Sequence, residues 1–90
     1  MAHFFMIRHK VKNFAEWTVF YKEHEPKRLE AGLRELYLLQ GTSESPQEVV
    51  ILFAAEDLQK AKEFTESKSL QDSMKKSGVL DTPHFYFLKK

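Results

Sequence analysis

Four short segments of this chain are apolar at both odd and even positions, and that pattern limits the folds open to it more than any other feature. In "HFFMIRHKV" Phe4 and Met6 oppose Phe5 and Ile7, and in "LRELYLLQ" Tyr37 and Leu39 oppose Leu36 and Leu38. In "EVVILFAA" Val50 and Leu52 oppose Val49, Ile51 and Phe53, and in "HFYFL" Phe85 and Phe87 oppose Tyr86 and Leu88. Side chains alternate across a strand, so a sheet with one face in water carries polar residues at every second position. Here both faces of the expected sheet need cover.

The segments between these strands read as helices. Asn13 is a good N-cap, because its side-chain oxygen can accept from the free amides of a first turn. Projected at about 100° per residue, Trp17, Phe20, Tyr21 and His24 then share one apolar arc, with Phe14 beside it. Pro26 has no amide to bond back to Lys22, so the helix should break there, resume over Pro26 to Ala31 and end at Gly32. Gly41 to Gln47 is a hairpin loop between two antiparallel strands. Asp57 caps a helix with Leu58, Ala61 and Phe64 inward. Ser69, with Asp72 three residues on, resembles a capping box opening a last helix around Leu70 and Met74, closed by Gly78.

Strand, helix, strand, strand, helix, strand is the order of an α+β, ferredoxin-like split βαβ unit, with a four-stranded antiparallel sheet and its helices on one side. No repeat or linker divides residues 1–90, so a single domain is expected. The helix-free face would expose more apolar area than the few hundred Å² that monomers tolerate. An identical sheet laid against it is the simplest cover, which predicts a homodimer with sheets face to face.

Composition excludes several classes of function. The chain has 14 Lys and Arg against 13 Asp and Glu, with the basic residues scattered, so the electrostatic footprint of a nucleic-acid binder is missing. The absence of cysteine rules out thiol catalysis, disulfides and Cys-based zinc sites, and fits a reducing cytoplasm. The longest apolar run, Val49 to Ala55, is far short of the ~20 residues of a membrane-spanning helix. Phe4 to Ile7 runs straight into Arg8-His9-Lys10, which is not a signal-peptide layout. No membrane partner and a cytoplasmic location are expected.

The stretches "VKNFAEWTVFYKEHEPKRLEAGL", "LYLLQGTSESPQEVVILFAAEDLQKAKEF" and "SLQDSMKKSGVLDTPHFYFL" give the chain a resemblance to the dimeric α/β-barrel superfamily, and within it to the small antibiotic-biosynthesis-monooxygenase-like proteins. The cues are the aromatic helix ending in "EHEPKRLEAG", the proline before the third strand, the "DLQKAKEF" helix opening and the late "SGV" turn. The resemblance implies a dimeric α/β barrel and a superfamily that includes cofactor-free oxygenases, haem-degrading enzymes, muconolactone isomerases and members without known activity. Haem-degrading members place their tryptophan outside the first helix, whereas Trp17, the only tryptophan here, lies on it. No catalytic residue therefore transfers by motif, and no cofactor is expected.

Where this fold has a small-molecule cavity, it lies between the sheet and the helices, and Trp17, Phe20, Tyr21 and His24 would line it. For the aromatics the competing reading is simple core. His24 is the candidate catalytic residue: a near-neutral imidazole can accept a proton from a phenolic or enolic substrate, the step that precedes reaction of oxygen with a carbanion. Its competing role is structural, bonded to a backbone carbonyl or to a carboxylate such as Glu25. Arg28, one step further along the stripe, could bind an oxyanion or could serve as a surface ion-pair residue. His3, His9 and His84 stand at strand ends without metal-ligand spacing, so no metal site is expected. The serines lie in loops or caps with no His–acid pair at recognisable spacing, against a nucleophilic hydrolase. Arg8 and Arg34 should pair at the dimer interface, with Glu35 one candidate partner. The sequence thus supports a small-molecule-binding homodimer, with a cofactor-independent monooxygenase acting on an aromatic or polyketide-like ligand as its sharper form. The alternative is a non-catalytic or structural dimer whose pocket is filled by side chains.

Overall fold

The computed structural model describes residues 2–90. Its elements are β1 (His3–Lys10), α1 (Phe14–Glu23), α2 (Glu25–Glu30), β2 (Leu33–Gln40), β3 (Glu48–Ala55), α3 (Leu58–Thr65), α4 (Lys68–Ser77) and β4 (His84–Lys89). All strand pairs are antiparallel, in the order β2-β3-β1-β4. This is the expected ferredoxin-like α+β architecture: the two central strands are β1 and β3, and β2 and β4 lie at the edges.

Local chemistry sets the helix ends. The Asn13 Oδ1 accepts from the Glu16 amide at 2.9 Å, and the Asp57 Oδ1 accepts from the Gln59 amide at 2.9 Å. The helical path breaks at His24, which is the last cap of α1 and the first of α2, with Pro26 inside the first turn of the second piece. Gly32 follows α2 with φ +73°, a left-handed conformation that costs a side chain strain. A Cβ there would also meet the Cβ of Glu56 at 3.0 Å.

Two expectations fail for identifiable reasons. The cap of α4 is Ser67, whose Oγ accepts from the Leu70 amide at 3.2 Å, and not Ser69. Both serines fit the local pattern, and the helix starts two residues earlier than the Ser69–Asp72 pair implied. In β2 the register slips between Glu35 and Tyr37. The slip ends the strict alternation, so Leu38 packs on the core while Leu36 is among the exposed apolar residues, and the two do not share a face.

The helix side of the sheet holds the core. Phe5, Ile7, Val49, Ile51 and Phe53 are buried there under Trp17, Ala61, Phe64 and Leu70. The opposite side carries no helix. Its residues include Tyr37 and Leu39, 61% and 55% exposed, together with Tyr86, Leu88, Leu52 and Met6. Arg8, on the same side, donates from Nε to Glu48 Oε1 at 2.8 Å within the chain, so it does not wait for a partner subunit to neutralise it. Among the described residues no helix is long and apolar enough to cross a membrane.

Candidate functional site

Between the sheet and the helices α1, α2 and α4 lies a cavity of about 40 Å³. It has room for roughly one or two water molecules and falls far below the several hundred Å³ of ordinary ligand pockets. Trp17, Tyr21, His24 and Arg28 all line it, as the helical projection required. Phe20 does not. It sits at the edge of the apolar arc furthest from Tyr21, about 60° round the helix from Trp17. That rotation puts it in an outer groove between α1 and α4, shared with His24 and Ser69.

Arg28 is 5% exposed, so the surface ion-pair reading is wrong. Its Nη1 donates to the Tyr21 carbonyl at 2.6 Å, and its guanidinium carbon stands 3.7 Å from the centroid of the Tyr21 ring. The break at His24 makes this possible: it folds α2 back so that Arg28 reaches the Tyr21 carbonyl as a second donor beside the His24 amide. The Tyr21 hydroxyl donates to Glu35 Oε1 at 2.7 Å, which ties α1 to β2 and gives Glu35 a partner within its own chain. Burial and that carboxylate push the phenol above its ordinary range, so Tyr21 remains a phenol at any physiological pH. Burial draws the Arg28 guanidinium down from its ordinary value.

His24 bonds neither a carbonyl nor a carboxylate through its ring. Its Nε2 lies 2.9 Å from Ser69 Oγ, and its ring packs on Phe64 with centroids 5.6 Å apart. Burial, then the charges of Arg28 and Lys27, hold it below its usual pKa, which keeps the imidazole neutral near pH 7.

The site residue that sequence reasoning missed is His9. It is 3% exposed, lines the same cavity and presents its ring edge-on to Trp17 at 5.4 Å. Its Nδ1 is buried without a hydrogen-bond partner. The signal was available: Phe5, Ile7, His9 and Val11 continue one period-2 series onto the helix side, and only the nearness of His9 to the strand end disguised it. Burial lowers its pKa to about 4, against a smaller opposing pull from Asp81.

That depression has a measurable sign. An unfolded histidine takes up its proton near pH 6.5, but His9 in the fold does so only near 4. Its contribution is intact above 6.5 and is lost as pH falls through the window down to 4, amounting to about 3 kcal/mol. Denaturant midpoints measured across that window should fall more steeply for the native chain than for His9→Leu. Parallel profiles for the two would contradict the buried neutral imidazole.

The arrangement offers two neutral imidazoles and one buried guanidinium around an apolar, aromatic wall. Such a set can accept a proton and hold the resulting oxyanion. Among the described residues no group of three or more His, Asp or Glu side chains is placed to hold a metal ion.

No protein-family model and no curated protein matches the chain. Solved structures do. A protein described as an antibiotic biosynthesis monooxygenase from Bordetella bronchiseptica superposes with a TM-score of 0.76 at 18% identity, over 100% of this chain and 98% of that one. SnoaB, a cofactor-independent oxygenase from Streptomyces nogalater, gives 0.71 at 13%, over 99% and 92%. A dimeric ferredoxin-like protein from an uncultured marine organism gives 0.58 at 18%, over 96% and 84%. At these identities the likeness establishes the ferredoxin-like fold that the antibiotic-biosynthesis-monooxygenase-like structures share with this chain.

Proposed function

We propose that this chain is a cytoplasmic, homodimeric small-molecule-binding protein whose ligand, a small aromatic or enolic molecule, enters beneath α1 between Trp17, Tyr21, His24 and Arg28. The observation that carries the reading is the concentration of costly groups at one cavity: a buried arginine and an unpartnered buried histidine, beside a second neutral imidazole. A plain core gains nothing from them, since an unsatisfied buried polar group costs about 1–3 kcal/mol. His24 or His9 would take the ligand proton and Arg28 would face the oxyanion. This is the chemistry a cofactor-independent oxygenase needs, and SnoaB supports it by likeness of fold. The small cavity requires the helices that cover it to move outward for a ligand to enter.

The size of that cavity favours a second reading, a structural dimer whose pocket is filled by its own side chains. Trp17 fluorescence decides between them. On titration with quinols and phenols, the binding reading expects a saturable change in emission that is weakened in His24→Ala, a variant expected to lose on the order of 1 kcal/mol of stability. Unchanged emission throughout, in the native chain and in His24→Ala alike, would establish the filled core.

A further inference from the structure

Outside the cavity, the outer groove between α1 and α4 brings together two side chains that are 45 residues apart in sequence. Ser69 is exposed and is the second residue of α4; His24 closes α1. We propose that Ser69 and His24 form a nucleophile–base pair that hydrolyses small uncharged carboxylic esters in this groove. The proposal goes beyond the cavity reading and does not depend on it.

The geometry puts a serine hydroxyl within hydrogen-bond reach of an imidazole nitrogen. The 2.9 Å separation of His24 Nε2 and Ser69 Oγ lets the hydroxyl donate to an unprotonated Nε2. Both groups are held by rigid elements. The His24 amide bonds the Phe20 and Tyr21 carbonyls, its own carbonyl accepts from the Lys27 and Arg28 amides, and its ring rests on Phe64. Ser69 is fixed because Ser67 pins the start of its helix. The His24 imidazole is neutral near pH 7, the state a base requires.

The first turn of α4 supplies the complementary charge. The amides of Lys68 and Ser69 are the first two of the helix and have no acceptor within it, and the helix dipole is positive there. They can receive the negative charge that develops on an ester carbonyl oxygen attacked by the Ser69 Oγ. The groove measures about 440 Å³, enough for a small acyl group and its leaving group. Phe20, displaced from the inner cavity, is its apolar wall; Glu23 and Asp72 against Lys76 leave the rim with an excess negative charge, which disfavours an anionic substrate.

The reaction runs in two halves. Ser69 Oγ bonds to the carbonyl carbon while its proton passes to His24 Nε2. The tetrahedral intermediate collapses, the carbon–oxygen bond to the leaving alcohol breaks, and that alcohol takes the proton from Nε2. Water then attacks the acyl-serine, giving its proton to Nε2, and release of the carboxylic acid returns the proton to Ser69.

The test uses the full chain with p-nitrophenyl acetate and a fluorophosphonate. A burst of p-nitrophenolate close to one per chain is expected, with the acetyl or phosphonyl group located on Ser69 by mass spectrometry. Ser69→Ala should abolish both, and His24→Gln should slow labelling by roughly 100-fold or more. Because the chain has no cysteine, Ser69→Cys offers an independent readout. Iodoacetamide should alkylate its thiol faster when His24 is present than in the Ser69→Cys, His24→Gln double variant. Label confined to lysines, labelling of Ser69 at the native rate in His24→Gln, or a thiol indifferent to His24 would each overturn the proposal.

Discussion

Leu52→Asp should run in light scattering at the 10.6 kDa mass of one chain, and the native protein should run at about twice that mass at micromolar concentration. Leu52 lies midway along β3, opposite Met6 on β1 and Tyr37 on β2, on the side of the sheet that carries no helix. The apolar residues around it include Tyr37, Leu39, Tyr86 and Leu88, all exposed in the single chain. A second copy laid on this face buries each Leu52, and symmetry places the new carboxylate in the interface twice. A buried, unpaired carboxylate costs several kcal/mol, so two of them exceed what an interface of ordinary strength can absorb. In the separated subunit the same carboxylate meets water, and the far-UV spectrum should be unchanged. The neighbouring substitution supplies the control. Ile51 is 1% exposed and points to the helices, so Ile51→Asp should prevent folding altogether. A native chain of monomeric mass, or a Leu52→Asp protein that remains dimeric, would remove the face-to-face dimer.

What the sequence disclosed, and what it withheld, divides along the range of the forces involved. The bounds of β2 and β3 were readable because apolar runs end at Gly32, Gly41 and Pro46, and the caps Asn13 and Asp57 act within three residues of themselves. The bulge in β2 was not readable, because nothing in "LRELYLLQ" marks where the extra residue goes; pairing with β3 decides it. Ser69 shows the limit most clearly. Its local pattern suggests a cap, but Ser67 serves that helix and Ser69 reaches His24 on another element. Arg28 was placed on the correct stripe, yet its burial depends on α2 folding back at His24 so that the guanidinium reaches the Tyr21 carbonyl, a consequence of tertiary geometry. His9 is legible by alternation with Phe5 and Ile7, but its place near a strand end, where side chains are usually solvated, masks its burial.

Trp17→Ala should cost about 3–5 kcal/mol, a large part of the roughly 5–15 kcal/mol that holds a domain of this kind together. Trp17 is 4% exposed, stacks on Tyr21 with centroids 4.8 Å apart, tilts against Phe14 at 5.8 Å and receives the edge-on contact of His9. Removing the indole strips contacts from all three neighbours and leaves a hole that merges with the existing 40 Å³ cavity. The melting temperature should fall by roughly 15–30 °C, given about 4–8 °C per kcal/mol for a chain of this length. The enlarged space is apolar and the right shape for an aromatic ring, so free indole should stabilise the variant in a concentration-dependent way while leaving the native protein unmoved. His9 supplies a second readout. Once water can enter beside it, its pKa should rise from about 4 toward the ordinary histidine value, and the variant should lose part of the acid sensitivity of the native chain. A loss below about 1 kcal/mol would mean that Trp17 is not the keystone of this wall. If indole rescues the variant but no phenol or quinol stabilises the native protein, the space beneath α1 is already occupied by Trp17 itself, and the structural reading displaces the binding one.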